Sequence, residues 1–132
     1  MSSSASNWLE NQVMNAVFND TDMAFTTGGA SPTTVYAKLH IGAPGEDCTD
    51  NPAVETTRKA LSFGTSSNGV VTSDANAEWT NVTAPETYTA ISIWDDLTVG
   101  NPICFIDLTT PRAVTAGDNF RIASTALTVT LT

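Results

Sequence analysis

Apolar and polar residues alternate with a period of two along much of this 132-residue chain. Near the C-terminus, Leu127, Val129 and Leu131 alternate with threonines, and a shorter run of the same kind covers residues 120–122. Alternation of this type is typical of strands that bury one face and expose the other. The two runs together predict a closing hairpin whose second strand continues to Thr132.

Similar patterns upstream predict an antiparallel β-sandwich of about eight short strands, an all-β fold class. Asn68-Gly69 predicts a type I′ turn, because both central residues of that turn need a positive φ. His40 falls on the polar side of the first strand, where we expect it to be exposed. The predicted strands cover residues 35–41, 56–63, 70–72, 77–82, 88–94, 103–108, 120–122 and 127–132, with Pro111 in a turn.

One helix is predicted over residues 7–18, where apolar residues recur at helical spacing. Asn7 and Glu10 form an approximate capping box at its start. The helix either covers an open end or edge of the sheet or packs its wide apolar stripe on a neighbouring subunit. We therefore divide a single domain into an N-terminal helix and polar connection, residues 1–32, and a β-sandwich, residues 33–132.

The charge balance excludes several classes of partner. The chain has 5 basic and 14 acidic residues, a net charge of −9, and its basic residues are scattered apart from one adjacent pair. Binding to nucleic acid or to an anionic membrane needs clustered positive charge, so we expect neither. The first residues lack a signal-peptide pattern, which predicts synthesis in the cytoplasm and free thiols at Cys48 and Cys104.

Catalytic and metal-binding patterns are mostly missing. The single histidine and the absence of a Gly-x-Ser-x-Gly elbow predict a non-enzyme without catalytic residues. Acidic residues at 20–22 and 46–50 could offer oxygen atoms to Ca²⁺, but neither segment matches a known calcium loop, so we predict no metal and no cofactor. Trp79 and Trp94 could form a sugar-stacking platform, although a core position is commoner for tryptophan in a small sandwich.

Several short motifs occur in a fixed order along nearly the whole chain. They are Trp8-Leu9-Glu10-Asn11, residues 34–40 with 43–45, residues 58–63, residues 91–95, and residues 108–111, 114–118 and 127–131. This ordered set resembles a family of small tailed-phage structural proteins, described as tail-fibre or tail proteins. Ser92 and Ser124-Thr125 depart from it, since the family commonly has Gly and an Ala-Gly turn there. The resemblance implies no catalytic residues.

The resemblance implies a non-enzymatic structural component of a tailed-phage virion, assembled in the host cytoplasm. Two placements stay open: a capsid decoration (cement) protein that stabilises the shell, or a subunit associated with the tail or tail fibre. Its partners would be the major capsid protein or tail subunits, and further copies of the chain in a closed homo-oligomer such as a trimer. The alternative is a carbohydrate-binding module for host recognition. The predicted interface residues are Trp8, Leu9, Val13, Phe18 and Tyr36.

Overall fold

A computed structural model describes residues 3–26, 32 and 34–131. This part of the chain is mostly β, with antiparallel sheets and one short N-terminal helix, which confirms the predicted fold class. The elements are β1 (Ser3–Ala5), α1 (Asn7–Phe18), β2 (Val35–His40), β3 (Lys59–Leu61), β4 (Val70–Thr72), β5 (Ala77–Trp79), β6 (Glu86–Trp94), β7 (Pro102–Val114), β8 (Phe120–Ile122) and β9 (Thr128–Thr130).

The strands form one large sheet and two small ribbons. The large sheet has the order β1-β7-β6-β2-β3, and the ribbons are β4-β9 and β5-β8. One hydrophobic core joins them, because apolar side chains from the large sheet and from both ribbon regions belong to the same buried cluster. Its members include Ala37, Leu39, Ile91, Ile93 and Ile106 from the large sheet and Trp79, Phe120, Ile122 and Leu127 from the ribbon side.

The helix has the predicted bounds but a different cap. Ser6, not Asn7, is the N-cap residue, and its side chain accepts a hydrogen bond from the backbone N–H of Leu9 at 3.2 Å. The helix lies beside β7, yet none of its 12 residues, all within the described part of the chain, is buried. A helix that packs this lightly leaves much of its apolar surface in solvent.

The predicted closing hairpin is wrong. β8 pairs with β5, with Phe120 opposite Trp79, whereas β9 pairs with β4. The chain is diverted between them because Thr125 has a positive φ of 68° and its N–H donates to the carbonyl of Ser73 at 2.8 Å. Ser73 then pairs its own N–H with the carbonyl of Leu127 at 2.9 Å, which directs β9 towards β4. Thr132 lies outside the described residues.

Two further strand predictions needed correction, while the turn prediction is confirmed. Pro111 lies inside β7, where the residues between Asp107 and Arg112 bulge away from the partner strand. A bulge tolerates proline because no ladder hydrogen bond is required of its missing N–H. The strand predicted over residues 56–63 is reduced to β3. Asn68-Gly69 has φ values of 52° and 77°, as a type I′ turn requires.

Candidate functional site

The face of β2 and β6 opposite the hydrophobic core carries a group of polar and amphipathic side chains. Lys38 is the cross-strand partner of Ser92, and Tyr36 is the partner of Trp94. Since side chains two residues apart share a face, His40 lies on this face as well. The period of two therefore predicted the correct side of the sheet for His40.

The exposure predicted for His40 is nevertheless wrong, because its side chain is fully buried. The loop of residues 42–52 folds back over it, and the backbone N–H of Ile41 donates to the carbonyl of Asn51 at 2.9 Å. The ring atom Nδ1 of His40 lies 2.8 Å from the carbonyl oxygen of Asp50. A carbonyl can only accept, so Nδ1 carries the proton and Nε2 is an acceptor.

Ser92 links this histidine to Trp94. Its Oγ lies 2.7 Å from Nε2 of His40 and accepts a hydrogen bond from Nε1 of Trp94 at 2.8 Å. The Ser92 hydroxyl thus donates to the histidine and accepts from the indole, and every polar group in this buried relay has a partner. Burial lowers the pKa of His40, although the hydrogen bond to Asp50 opposes that shift, so the neutral ring is favoured.

A serine within hydrogen-bond distance of a histidine is also the arrangement of an activated nucleophile. Here both Ser92 and His40 have no solvent-exposed surface. A substrate cannot reach the hydroxyl without opening the sheet and its covering loop. The relay therefore acts as a structural element that fixes the orientation of the Trp94 ring.

Two cations meet on that ring. The guanidinium carbon of Arg58 lies 4.2 Å from the centroid of the Trp94 ring, and the ammonium nitrogen of Lys38 lies 5.8 Å from it. Both distances fall within the range of cation–π attraction. Nη1 of Arg58 donates to the carbonyl oxygens of Asp96 at 2.7 Å and Val99 at 2.6 Å, which anchors the loop after β6.

These cations line an open cleft of about 500 Å³. In the sequence, Lys38 is one of the scattered basic residues and Arg58 belongs to the one adjacent pair. Only the alternation of β2 hints at which side of the sheet Lys38 faces. No local signal marks Arg58, because it precedes β3 in an irregular segment. The lining residues are Lys38, Thr56, Thr57, Arg58, Leu97 and Thr98.

A buried carboxylate holds the loop beside this cleft. Asp95 accepts hydrogen bonds from the backbone N–H of Thr26 at 2.9 Å and of Asn101 at 2.7 Å, and from both of their side chains. Burial alone would raise the pKa of Asp95, but these hydrogen bonds outweigh it and lower that pKa. Gly100, with φ +91°, is required here because a Cβ would lie 2.3 Å from Oδ1 of Asp95.

The two tryptophans considered as a sugar platform are both buried, Trp79 in the hydrophobic core and Trp94 on the opposite face of the large sheet. Trp79 is 1% exposed and its Nε1 donates to the carbonyl of Thr57 at 2.6 Å. Trp94 is 8% exposed, and Arg58 stacks on its ring. Neither indole presents a free face on which a sugar ring could stack, so the observation behind the carbohydrate alternative is not met.

The predicted interface residues occupy different environments. Trp8 packs edge-on against Phe25, with ring centroids 5.5 Å apart. Leu9 and Val13 come together in the lining of a groove of about 300 Å³. Tyr36 lies apart from the helix in β2, half-buried.

Phe18, at the end of α1, is the most exposed of the predicted interface residues, with 72% of its surface accessible. Met14 and Val17, at 56% and 68%, extend this exposed apolar surface, although the prediction did not include them. Residues 14, 17 and 18 lie on one side of the helix by its periodicity of 3.6 residues. We call them the helix patch.

The described ranges 3–26 and 34–131 offer few other reactive or metal-binding groups. They contain no group of three or more His, Cys, Asp or Glu side chains that could hold a metal ion. Cys48 and Cys104 are free and buried, and burial raises the pKa of each thiol to about 12. None of the described helices is both long and apolar enough to cross a membrane.

The fold and these sites define a small antiparallel β-protein whose single histidine is enclosed in its structure. The chain belongs to the family described as podophage GP4 fiber I protein gp80, whose family model matches residues 4–130. This match confirms the resemblance to tail-fibre-like structural proteins of phages. A comparison with curated proteins found no match.

Proposed function

We propose that this protein is a non-enzymatic structural subunit of a tailed-phage virion, located at the fibre and acting through protein–protein interfaces. The observation that carries the proposal is the family match, which spans residues 4–130 and therefore covers nearly the whole chain. The buried relay around His40 supports a structural role, because the one histidine of the chain is out of reach of substrate.

Placement at the fibre rests on the description of the family as a fibre protein. Capsid decoration is the competing placement, and the number of copies per particle separates the two. Quantitative mass spectrometry of purified virions should find a few to a few dozen copies, matching the order of magnitude of other tail proteins. Hundreds of copies per particle would show that the protein lies on the capsid surface and not at the fibre. Absence from the virion would overturn the proposal.

The helix patch is the surface that we assign to contacts between copies of this chain. Its three side chains are more than half exposed, and α1 buries none of its residues, so the patch can be covered without rearranging the core. A specific interface needs on the order of 1,000 Å² of buried surface, so neighbouring groups such as the groove beside Leu9 and Val13 would complete it.

Sedimentation of wild-type protein and of a Phe18→Asp variant tests this contact. We expect a wild-type oligomer. We expect the variant to weaken self-association about a hundredfold, since it removes a phenyl ring that the contact would bury and adds a charge that the contact would have to desolvate. Thr83→Asp adds the same charge at an exposed site in the connection between β5 and β6 and should leave association unchanged. A monomeric wild-type protein at high concentration would refute the contact.

A further inference from the structure

We propose that the cleft beside Trp94 is a binding site for a carboxylate group. The cleft is lined by Lys38 and Arg58 together with the hydroxyl-bearing residues Thr56, Thr57 and Thr98, and it encloses about 500 Å³. That volume admits a sugar acid or an acidic amino-acid side chain. Binding of a carboxylate in the cleft does not depend on where in a particle the protein resides.

Positive charge is concentrated at this cleft. Only 5 of the 132 residues are basic, yet Lys38 and Arg58 both lie within 6 Å of the same indole ring. Burial is the largest cause that lowers the pKa of Lys38, and the charge of Arg58 lowers it further. An anion held between the two cations would relieve this repulsion, which is a physical reason for it to bind.

Arg58 keeps N–H donors with which it can bind a ligand. A guanidinium has five N–H groups, and among the described residues its hydrogen bonds run from Nη1 to the carbonyl oxygens of Asp96 and Val99. Among the described residues, the Nε–H and Nη2 groups of Arg58 make no hydrogen bond and can donate to a ligand. This edge of the guanidinium matches the two oxygens of a carboxylate in a bidentate pair. Stacking on Trp94 and the two carbonyl contacts hold the guanidinium in place in advance.

Two carboxylates near Arg58 limit the charge of a ligand that binds in the cleft. Asp95 and Asp96 act on Arg58 electrostatically, and both raise its pKa against the opposing and larger effect of burial. They therefore offset part of the positive potential of the cleft. A ligand with a single negative charge is favoured over a dianion. The cost of removing an ion from water grows with the square of its charge, whereas its attraction to this weakened potential grows only in proportion to the charge. A carboxylate is accordingly preferred to sulfate or to doubly ionised phosphate.

Backbone and indole N–H chemical shifts, followed during titration at pH 7 and constant ionic strength, provide the test. Sodium acetate replacing sodium chloride should produce saturable shifts at residues 56–58 and 94–99, with a Kd on the order of 1–10 mM for so small a probe. Lys38→Gln should weaken binding about tenfold, since it removes one charge-assisted hydrogen bond. It should not lower thermal stability, because it also removes the repulsion with Arg58.

Lys59→Gln is the matched control, because it removes a lysine charge one residue from Arg58 at a position that does not line the cleft. It should leave the affinity for acetate unchanged. Acetate shifts that do not saturate, or that persist equally in Lys38→Gln, would overturn the proposal. Tighter binding of sulfate than of acetate would also overturn it, since the carboxylate assignment would then be wrong.

Two further probes distinguish the source of the carboxylate. Glucuronate represents an acidic polysaccharide, and the α-amide of N-acetylglutamate represents an acidic side chain of a protein. Whichever probe binds more tightly than acetate indicates the source, because its additional atoms then contact the threonines and Leu97 of the cleft. Binding of neither would contradict the proposal, since a cleft of this volume should accept both.

Discussion

The buried relay of His40, Ser92 and Trp94 makes a quantitative prediction about stability. Ser92→Ala removes one oxygen atom from a fully buried position. It leaves Nε2 of His40 without a donor and Nε1–H of Trp94 without an acceptor, because Ser92 supplies both contacts at 2.7 and 2.8 Å. The variant should fold to the same structure with two unsatisfied polar groups in its interior.

The expected cost follows from these two groups. A buried polar group that loses its partner destabilises a protein by about 1–3 kcal/mol, so the pair predicts a loss of roughly 2–6 kcal/mol. The typical total for a domain is about 5–15 kcal/mol. Even the lower value corresponds to a fall in Tm of roughly 6–10 °C for a chain of this size.

Urea unfolding followed by tryptophan fluorescence measures this loss. Ser66→Ala, at an exposed loop position, is the matched control and should change the free energy of unfolding by less than about 0.5 kcal/mol. The indole N–H resonance of Trp94 should also move upfield in Ser92→Ala as its hydrogen bond is lost. A variant that matched the control in stability would refute the relay as a source of stability.

Three other predictions concern acid sensitivity, the C-terminal strand and the thiols. The folded state lowers the pKa of His40 below 6.5, so the unfolded chain binds more protons than the folded chain. The free energy of unfolding should therefore fall as pH drops from 7 to 5. Urea titrations at several pH values measure this change, and a rise in the free energy of unfolding would contradict the prediction. Deletion of residues 127–132 should abolish folding, because Leu127 is fully buried and β9 is the partner of β4; an unchanged melting transition would show otherwise. Cys48 and Cys104 should react with an aromatic disulfide reagent only after unfolding, since both thiols are buried and their pKa values are raised to about 12. Rapid labelling of the native protein would disprove this prediction.

Local signals in the sequence were reliable wherever a short stretch of chain decides the outcome. The helix has the predicted bounds because its apolar spacing and its polar flanks are local properties. Asn68-Gly69 adopts the predicted turn because few residue pairs accept two positive φ values. The cap was misplaced by one residue, since Ser6 and Asn7 are both good N-cap residues and only tertiary contacts choose between them.

Pairing of distant strands was beyond such signals. The alternation in residues 120–131 revealed two strands correctly, but adjacent strands in sequence were expected to pair with one another. Their partners are decided by the positive φ of Thr125 and by the backbone contacts of Ser73. Ser73 lies about 50 residues before this segment, so the alternation within residues 120–131 cannot reveal its contacts.

The sequence by itself determined the fold class, the helix and the side of the sheet on which His40 and Lys38 lie, because each depends on the periodicity of a single element. Its ordered motifs also led to the family of phage fibre proteins that the match to residues 4–130 confirms. Only the tertiary structure decided that His40, on the polar face of β2, is covered and that Arg58 stacks on Trp94. The physical reason is that loops far apart in the chain, at residues 42–52 and 95–101, close over this face, and burial is a property of everything that packs around a residue.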